Sequence, residues 1–224
     1  MKKKINEGLT TFVIVCFIFG LLVTMFNLAV FNERFFETQY KALNTAESMN
    51  MSDEDLMLAT HTLLDYLQNK RDDISVEVVV EGKNVPMFNQ KEIDHMVDVK
   101  DLFTGLNSLQ MAAYVIFIIL IVALTITNRM SSLTNSIYRA LGVYLFVIGG
   151  IALYAFIDFS GFWVIFHKVL FSNDLWLLNP NTDRMINMFP EVFFNRLVIR
   201  VMIHFVIVFV AMYIIAKIRE KREI

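Results

Sequence analysis

Long apolar runs alternate with polar stretches along the chain. A helix needs roughly 20 apolar residues to cross ~30 Å of hydrocarbon, and four segments reach this length, at residues 9–31, 108–127, 137–157 and 197–216. The first run is too long for a signal-peptide core and has no small-x-small cleavage site, so it predicts a retained anchor. The pattern predicts a polytopic α-helical membrane protein with four transmembrane helices.

Basic residues flank these runs at three places, and they predict the orientation of the chain. Lys and Arg in short flanks mark the cytoplasmic side. They occur at Lys2, Lys3, Lys4, Arg129, Arg139, Lys217, Arg219, Lys221 and Arg222. Both termini are therefore expected in the cytoplasm. The predicted division is a cytoplasmic N-terminus with span one (1–31), an extracellular α+β cap (32–107), span two (108–127), a cytoplasmic loop (128–136), span three (137–157), an extracellular interfacial segment (158–196), span four (197–216) and a cytoplasmic tail (217–224).

The first outer segment, 32–107, has 15 Asp/Glu against 7 Lys/Arg, which suits a translocated domain. Ser52 to Asp55 (SDED) is typical of a capping box and predicts a helix after it. ISVEVVV, at 74–80, predicts a strand, with EGKN as its turn and VPMF as a return strand or extended arm. A second helix is predicted over 89–106, with an apolar side of Ile93, Met96, Val97 and Leu102. This cap is too small and polar for a core of its own, so we expect it to rest on the helical bundle and on the second outer segment.

The second outer segment, 158–196, is dense in aromatic residues. Phe162, Trp163, Phe166 and Leu170 fall on one helical face, and Trp favours the headgroup level of a bilayer. The pattern predicts a short aromatic helix lying in the membrane interface, apolar face down. His167 falls at the edge of that face, near the depth of lipid ester bonds.

Composition narrows the classes of function. Of the 224 residues, 56% are hydrophobic, and the mean hydropathy is +0.54, which is far too apolar for a soluble domain. A net charge of −2 gives no indication of a nucleic-acid partner. The single cysteine, Cys16, lies in an apolar run, which excludes a disulfide or Cys-based zinc site within one chain and predicts a packing role.

The four histidines are not equivalent. His61 faces away from the apolar stripe of its helix and is expected in solvent. His204 lies inside span four and shares a face with Arg196 and Arg200. Charged residues within a span usually point into the bundle and serve function, although the two arginines are close enough to the span end to extend to the interface instead.

His95 and His167 lie in separate outer segments, each close to the membrane plane. Taken singly, His95 suits a solvated helix position and His167 an interfacial anchor. Taken together, two imidazoles at one site can divide proton transfer between them, since their usual pKa of about 6.5 suits both roles. Asp98, three residues after His95, is placed to orient it, and Asp158 or Asp183 is placed to orient His167.

Several chemistries lack their motifs. HExxH, GxSxG, Walker A and the dinucleotide fingerprint are absent from the sequence. A metal site of His95, Asp98 and His167 is stereochemically possible, which leaves a metal-dependent membrane hydrolase as one alternative. A membrane interaction protein without enzymatic activity is another.

Two stretches resemble a known family, KEIDHMVDVKDLF and FWVIFHKVLFSNDLWLLNPNTDRMINMFPEVFF. With four spans and an outer cap between the first two, they resemble the bacterial lipoprotein intramolecular transacylases, Lit. The likeness covers essentially the whole chain and is weakest over 40–85. The matching residues are Glu92, His95, Asp98, Val99, Asp158, Phe166, His167, Phe171, Trp176, Pro180, Asp183 and Pro190.

The resemblance implies a definite reaction. The substrate would be a diacylated lipoprotein with a diacylglyceryl group on its N-terminal Cys. The enzyme would move the sn-2 acyl chain to the α-amino group of the same Cys, with no cofactor or metal, and leave a lyso-form lipoprotein. The expected site faces the outside of a bacterial cell membrane, and its partners are the lipoprotein and membrane lipids.

The roles expected of the residues follow from that reaction. His95 is expected as general base and His167 as general acid, and the two roles can be exchanged. Supporting residues are expected at Glu92, Asp98, Asp158, Asp183 and Trp176. Candidates for oxyanion or lipid contact are Arg196, Arg200, Phe166 and Trp163, with Trp176 and backbone N–H groups as further oxyanion donors.

Overall fold

The computed structural model describes residues 2–223 and the side chains of residues 4–222. Within these residues the chain forms nine helices and two strands. They are α1 (Lys2–Val30), α2 (Glu33–Leu43), α3 (Thr45–Ser48), α4 (Asp53–Leu67), β1 (Glu77–Val80), β2 (Lys83–Pro86), α5 (Gln90–Ile126), α6 (Leu133–Ile157), α7 (Phe159–Leu170), α8 (Arg184–Met188) and α9 (Glu191–Glu223).

Four of the helices, α1, α5, α6 and α9, are long and apolar enough to cross a membrane. The four predicted spans lie on these helices, so the predicted class of helical membrane protein is confirmed. The helices are longer than the spans, since polar residues continue the hydrogen bonding of α5 before its apolar run and of α9 at both ends.

The chain divides into two compact units. The first, which we call the span unit, comprises Met1–Ala29, Leu106–Phe159 and Ile199–Ile224. Its core brings together apolar side chains of α1, α6 and α9, among them Ile18 and Ile137. A polar seam joins α1 to α5 in the same unit.

That seam consists of hydrogen bonds between short and medium side chains. Gln110 Nε2 donates to Thr24 Oγ1 over 2.7 Å, the Thr24 and Tyr114 hydroxyls lie 3.0 Å apart, and Asn27 Nδ2 donates to Asn107 over 2.8 Å. Bonds of this kind hold helices together where apolar contacts with lipid compete equally well.

The second unit, which we call the hairpin unit, comprises Val30–Gly105 and Ser160–Val198. Its core is shared between the cap and the second outer segment, as expected for a cap too small to have a core alone. Helix α2, which was not predicted, buries Phe35, Phe36 and Tyr40 against Phe189 and Phe193 of the second outer segment. The expected packing of the two outer segments is thus present.

The strands form an antiparallel hairpin, with Val80 paired to Lys83. The expected turn EGKN was too long, because the turn contains only Glu81 and Gly82. Both have positive φ, 52° and 76°, which is the conformation that matches a two-residue turn to the twist of the strands. The return strand therefore begins at Lys83, ahead of the predicted VPMF, and β1 begins at Glu77, after Ile74 has entered the core.

Helix α4 begins as predicted, because Ser52 Oγ accepts the N–H of Asp55 over 3.0 Å. The predicted helix 89–106 is the first half of the unbroken α5. Its buried face differs from the prediction, since Glu92, His95 and Met96 are buried while Val97 is 45% exposed. Two polar side chains thus take positions that an apolar stripe would assign to the surface.

Candidate active site

His95 lies in the second turn of α5, which begins at a capping box formed by Asn89 and Glu92. The Asn89 side-chain oxygen accepts the N–H of Glu92 over 3.0 Å, and the Glu92 carboxylate accepts the N–H of Asn89 over 2.7 Å. This arrangement satisfies two backbone donors that a helix start leaves free. It fixes the first turn of α5 immediately before His95.

His167 lies near the end of α7 and is enclosed by aromatic rings. The Trp163 ring meets it edge-on at 4.6 Å between centroids, Phe166 at 5.4 Å, and Trp176 stacks on it at 4.8 Å with 24° between planes. The side chain is 7% exposed. His167 is therefore inside an aromatic enclosure, whereas the sequence placed it at the edge of the apolar face.

The two histidines come together from segments 72 positions apart. Their ring centroids are 6.3 Å apart, and His95 is also 7% exposed. Phe171 contacts both rings, at 5.2 Å and 5.7 Å. One oxygen atom with a hydrogen bond of roughly 3 Å to each ring spans a gap of this size.

The hydrogen bonds of the two rings differ. Nδ1 of His167 lies 2.7 Å from the carbonyl oxygen of Trp163. A carbonyl can only accept, so Nδ1 carries the hydrogen and Nε2 of the neutral ring keeps its lone pair. Nδ1 of His95 is buried without a hydrogen-bond partner among the described residues.

Burial lowers the pKa of both imidazoles, because a charged ring would lose its hydration. Burial, and after it the nearby His167, lower the pKa of His95 to about 4, against the attraction of Asp98. Burial also lowers the pKa of His167, against the hydrogen bond to Trp163. His95 lies between predicted spans one and two, and His167 lies between predicted spans three and four. Both rings are therefore neutral near pH 7.

The carboxylates expected to orient the histidines have other partners. Asp98 accepts a hydrogen bond from Asn173 Nδ2 over 2.8 Å, and its influence on His95 is through charge. Asp183 is 3% exposed and accepts the N–H of Asn179 over 2.7 Å. Asp158 caps the C-terminal end of α6. In the described chain the hydrogen-bond partner of the His167 ring is thus a backbone carbonyl.

Glu92 and Asp183 serve instead to join two segments. Glu92 is 1% exposed, and its second carboxylate oxygen accepts the N–H of Met185 over 2.5 Å. Asp183 accepts Nδ2 of Asn89 over 2.8 Å. Burial raises the pKa of Glu92, and the two backbone donors oppose that rise.

The residues predicted to stabilise the oxyanion already form hydrogen bonds within the protein. Arg196 donates to the side chain of Gln39 over 2.8 Å in the hairpin unit, and the indole N–H of Trp176 donates to the Asn173 carbonyl over 3.0 Å. Arg200 belongs to the span unit, where its carbonyl accepts a bond of 2.8 Å from the His204 ring. His61 is exposed, as expected, and lies 3.2 Å from Glu33.

Sequence reasoning missed two site residues, Asn89 and Asn173. The pattern Asn-x-x-Glu at 89–92 carries a capping-box signal for the first. Nothing local marks Asn173, whose partner is 75 residues away. Among the described side chains, no group of three or more His, Cys, Asp or Glu is placed to hold a metal ion, so the set of His95, Asp98 and His167 does not form such a group.

Comparisons with known proteins agree on one family. The sequence profile of "Lipoprotein intramolecular transacylase Lit" matches residues 11–194. The solved structure of the membrane-integral transacylase Lit from Bacillus cereus matches with a TM-score of 0.79 and 19% identity, and covers 99% of this chain and 98% of its own. A variant of that protein with a histidine replaced by arginine matches with a TM-score of 0.74 and 19% identity over 99% and 94% of the two chains. No curated protein sequence matches.

Proposed function

The chain belongs to the family of lipoprotein intramolecular transacylases, Lit, and from this premise we propose the reaction that it catalyses. It moves the sn-2 acyl chain of a diacylglyceryl-Cys lipoprotein to the α-amino group of the same Cys. One observation carries the proposal for the site: two buried, neutral imidazoles from separate segments lie with their centroids 6.3 Å apart.

The reaction needs one proton to move and no other reagent. A C–N amide bond forms, the C–O bond of the sn-2 ester breaks, and the proton of the amine ends on the glyceryl oxygen. An α-amine has a pKa of about 7.7–8.0, so part of it is already deprotonated at neutral pH. Because amine and ester belong to one molecule, correct positioning lowers much of the barrier.

His167 is the general base in this proposal, and His95 delivers the proton to the leaving oxygen. The contact of His167 Nδ1 with the Trp163 carbonyl leaves Nε2 with the lone pair, which suits a group that accepts a proton from the attacking amine. Nδ1 of His95 is buried and has no hydrogen-bond partner among the described residues, and in this proposal it bonds to the glyceryl oxygen once the substrate has entered the site. This exchanges the roles first expected from the sequence.

The neutral resting state of both rings supports this division. A base must be unprotonated before the amine attacks, and the lowered pKa of His167 keeps it so. His95 donates its ring proton to the glyceryl oxygen as the C–O bond breaks, and the proton that His167 took from the amine then replaces it. A centroid separation of 6.3 Å leaves room for one oxygen atom to hydrogen-bond both rings. The pair returns to its neutral state after each turnover.

The acyl chains and the membrane are proposed to meet the exposed side of α7. Ile165 is 50% exposed and Val169 is 76% exposed, beside Phe166 and Trp163. An amphipathic helix with such a face lies in the interface of a bilayer. With both termini in the cytoplasm, the ester of an outer-leaflet lipoprotein would be presented to His167.

The test is expression of the protein in a host that makes only diacyl lipoproteins, followed by mass spectrometry of a lipoprotein's N-terminal peptide. We expect an unchanged total mass with one acyl chain on the amine. His167→Ala should leave the amine free, and His61→Ala, which changes an exposed histidine of the same unit, should not. An amine that stays free with well-expressed wild type would overturn the proposal. Activity that is lost on chelation would favour the metal hydrolase instead.

A further inference from the structure

The capping box of α5 has a second set of partners that a helix start does not require. Asn89 Nδ2 donates to Asp183 over 2.8 Å and to the Thr182 carbonyl over 3.3 Å. The Glu92 carboxylate accepts the N–H of Met185. Each side chain of the box thus binds the start of α5 and also a second segment: Asn89 binds the turn before α8, and Glu92 binds the first turn of α8.

Ser52 gives a comparison within the same unit. It caps α4 through the N–H of Asp55, and its hydroxyl donates to the carboxylate of that same residue, within its own helix. The cap of α4 is therefore a local device. The cap of α5 extends across more than 90 positions of sequence.

The turn that this cap holds belongs to the stretch 173–185, which carries Trp176. Other contacts fasten the same stretch to α5: Asn173 donates to Asp98 over 2.8 Å, and Lys91 Nζ donates to the Leu177 carbonyl over 2.5 Å. Trp176 is the ring that stacks on His167. The stretch is therefore fixed to the helix of one histidine while it covers the other.

We propose that the hydrogen bond between Asn89 and Asp183 is a clasp that positions Trp176 over His167 and so sets the spacing of the two histidines. Asn89 and Asp183 are positioning residues in this inference, since their hydrogen bonds among the described residues go to each other and to groups other than the histidine rings. The effect on rate rests on the proposed function, whereas the effect on the enclosure of His167 does not.

The chain provides its own reporter for the clasp. Its only two tryptophans, Trp163 and Trp176, lie 4.6 and 4.8 Å from the His167 ring. A protonated imidazole quenches the fluorescence of a neighbouring indole, so a pH titration of tryptophan emission reports the protonation of His167. The nearest other titrating ring is His95, and His95→Gln identifies its share of the signal.

The test compares exchanged and unexchanged pairs in the purified full-length protein. Asn89→Asp retains a capping oxygen but sets a carboxylate against Asp183, and Asp183→Asn sets two amides together. Each single variant should raise the pH midpoint of emission by about one unit, as water reaches His167, and slow acyl transfer by about tenfold to a hundredfold. The double exchange rebuilds an amide-to-carboxylate bond and should restore much of both. Ser52→Ala, which removes a cap of α4, should lower the melting temperature without moving the midpoint.

The possible results distinguish a failure of the clasp proposal from a failure of the proposed function. Midpoints that shift in the singles and return in the double variant support the clasp even if the wild type transfers no acyl group, in which case only the proposed function fails. Singles that match the wild type in midpoint and rate would overturn the clasp. A double variant no better than the singles would overturn it too, since the loss would then come from local misfolding.

Discussion

The His167 ring is held on several sides, and its orientation decides which nitrogen can react. Trp163, Phe166 and Trp176 pack around it, and the Trp163 carbonyl fixes the hydrogen on Nδ1. Aromatic packing excludes water, and exclusion of water lowers the pKa of the ring. The same contacts therefore set the orientation, the tautomer and the charge of the proposed base.

The pH dependence of acyl transfer should follow the substrate and not the histidines. Both imidazoles are already neutral at pH 7, so raising the pH further deprotonates only the substrate amine, with its pKa of about 7.7–8.0. We expect the rate on a diacyl lipopeptide to rise with a midpoint in that range. A midpoint near 6.5 would show that a histidine with an ordinary pKa limits the reaction.

His95 should make the folded state sensitive to acid. Its pKa falls from 6.5 to about 4 on folding, so the unfolded chain takes up the proton first. Above pH 6.5 the neutral His95 does not reduce the free energy of unfolding. As the pH falls from 6.5 towards 4, protonation of the unfolded chain lowers that free energy by about 3 kcal/mol. In thermal unfolding at pH 7.5 and 4.5, His95→Gln should lose less stability on acidification than the wild type. His61→Gln is the control, and it should behave as the wild type does.

The residue types of the site could be predicted from the sequence, but the hydrogen-bond partners of its carboxylates could not. Two histidines in separate outer segments were identifiable as a pair. Asp98 was an obvious partner for His95 by helical spacing, yet it binds Asn173, a residue 75 positions away. Spacing along one helix cannot show which side chain from another segment competes for a carboxylate.

Helices α1 and α5 come unusually close at one glycine. A Cβ atom added at Gly20 would lie 2.4 Å from the ring of Tyr114. The Tyr114 hydroxyl is in turn 3.0 Å from that of Thr24. The absence of a side chain at Gly20 is thus what lets the polar seam form.

Gly20→Ala should destabilise the span unit. The new methyl group would displace the Tyr114 ring, and inserting a methyl into packed contacts costs about 1–3 kcal/mol. Gly142→Ala is the matched control, because a Cβ there meets nothing within 4 Å and alanine improves helix propensity by up to about 1 kcal/mol. Melting temperatures in one detergent should fall for the first variant and stay or rise for the second. Equal melting temperatures would contradict a tight contact at Gly20.

The elements that sequence predicted best were those with a strong periodic or capping signal. The four spans and the start of α4 belong to this class. The hairpin turn was placed too long because Glu81, with φ of 52°, adopts a conformation that glycine or asparagine usually marks. Helix α2 was not predicted, although Asn32 is a favourable N-cap and Phe36 and Tyr40 have the i, i+4 spacing of one helical face.

The predicted orientation of the protein in the membrane can be tested by labelling introduced cysteines. The positive flanks predict that the loop after α5 lies in the cytoplasm and the hairpin unit outside. In a Cys16→Ala background, Lys83→Cys in the exposed hairpin should react with an impermeant maleimide on intact cells. Arg129→Cys, in the exposed loop, should react only after permeabilisation. The reverse pattern would contradict the orientation.

The sequence was enough to predict a helical membrane protein and its family, but not the pairing of distant segments. Hydropathy reveals each span because a span depends on its own residues alone. His95 and His167 meet from segments 72 positions apart, and the contacts between 89–98 and 173–185, such as that of Glu92 with the N–H of Met185, are also distant in sequence. Such contacts leave no local pattern.

We propose that one acyl chain moves within a single lipoprotein molecule at the two-histidine site. A crossover experiment distinguishes this from transfer between two molecules. Two diacyl lipopeptides are mixed with the purified protein, one with an isotope in its peptide and the other with an isotope in its sn-2 acyl chain. The products are then sequenced by mass spectrometry. With the wild type we predict N-acylated lyso products in which the labelled acyl chain stays on its own peptide. With His167→Ala we predict no N-acylated product. Products that carry both labels would show transfer between molecules, and transfer that survives His167→Ala would show that the two-histidine site is not where it occurs.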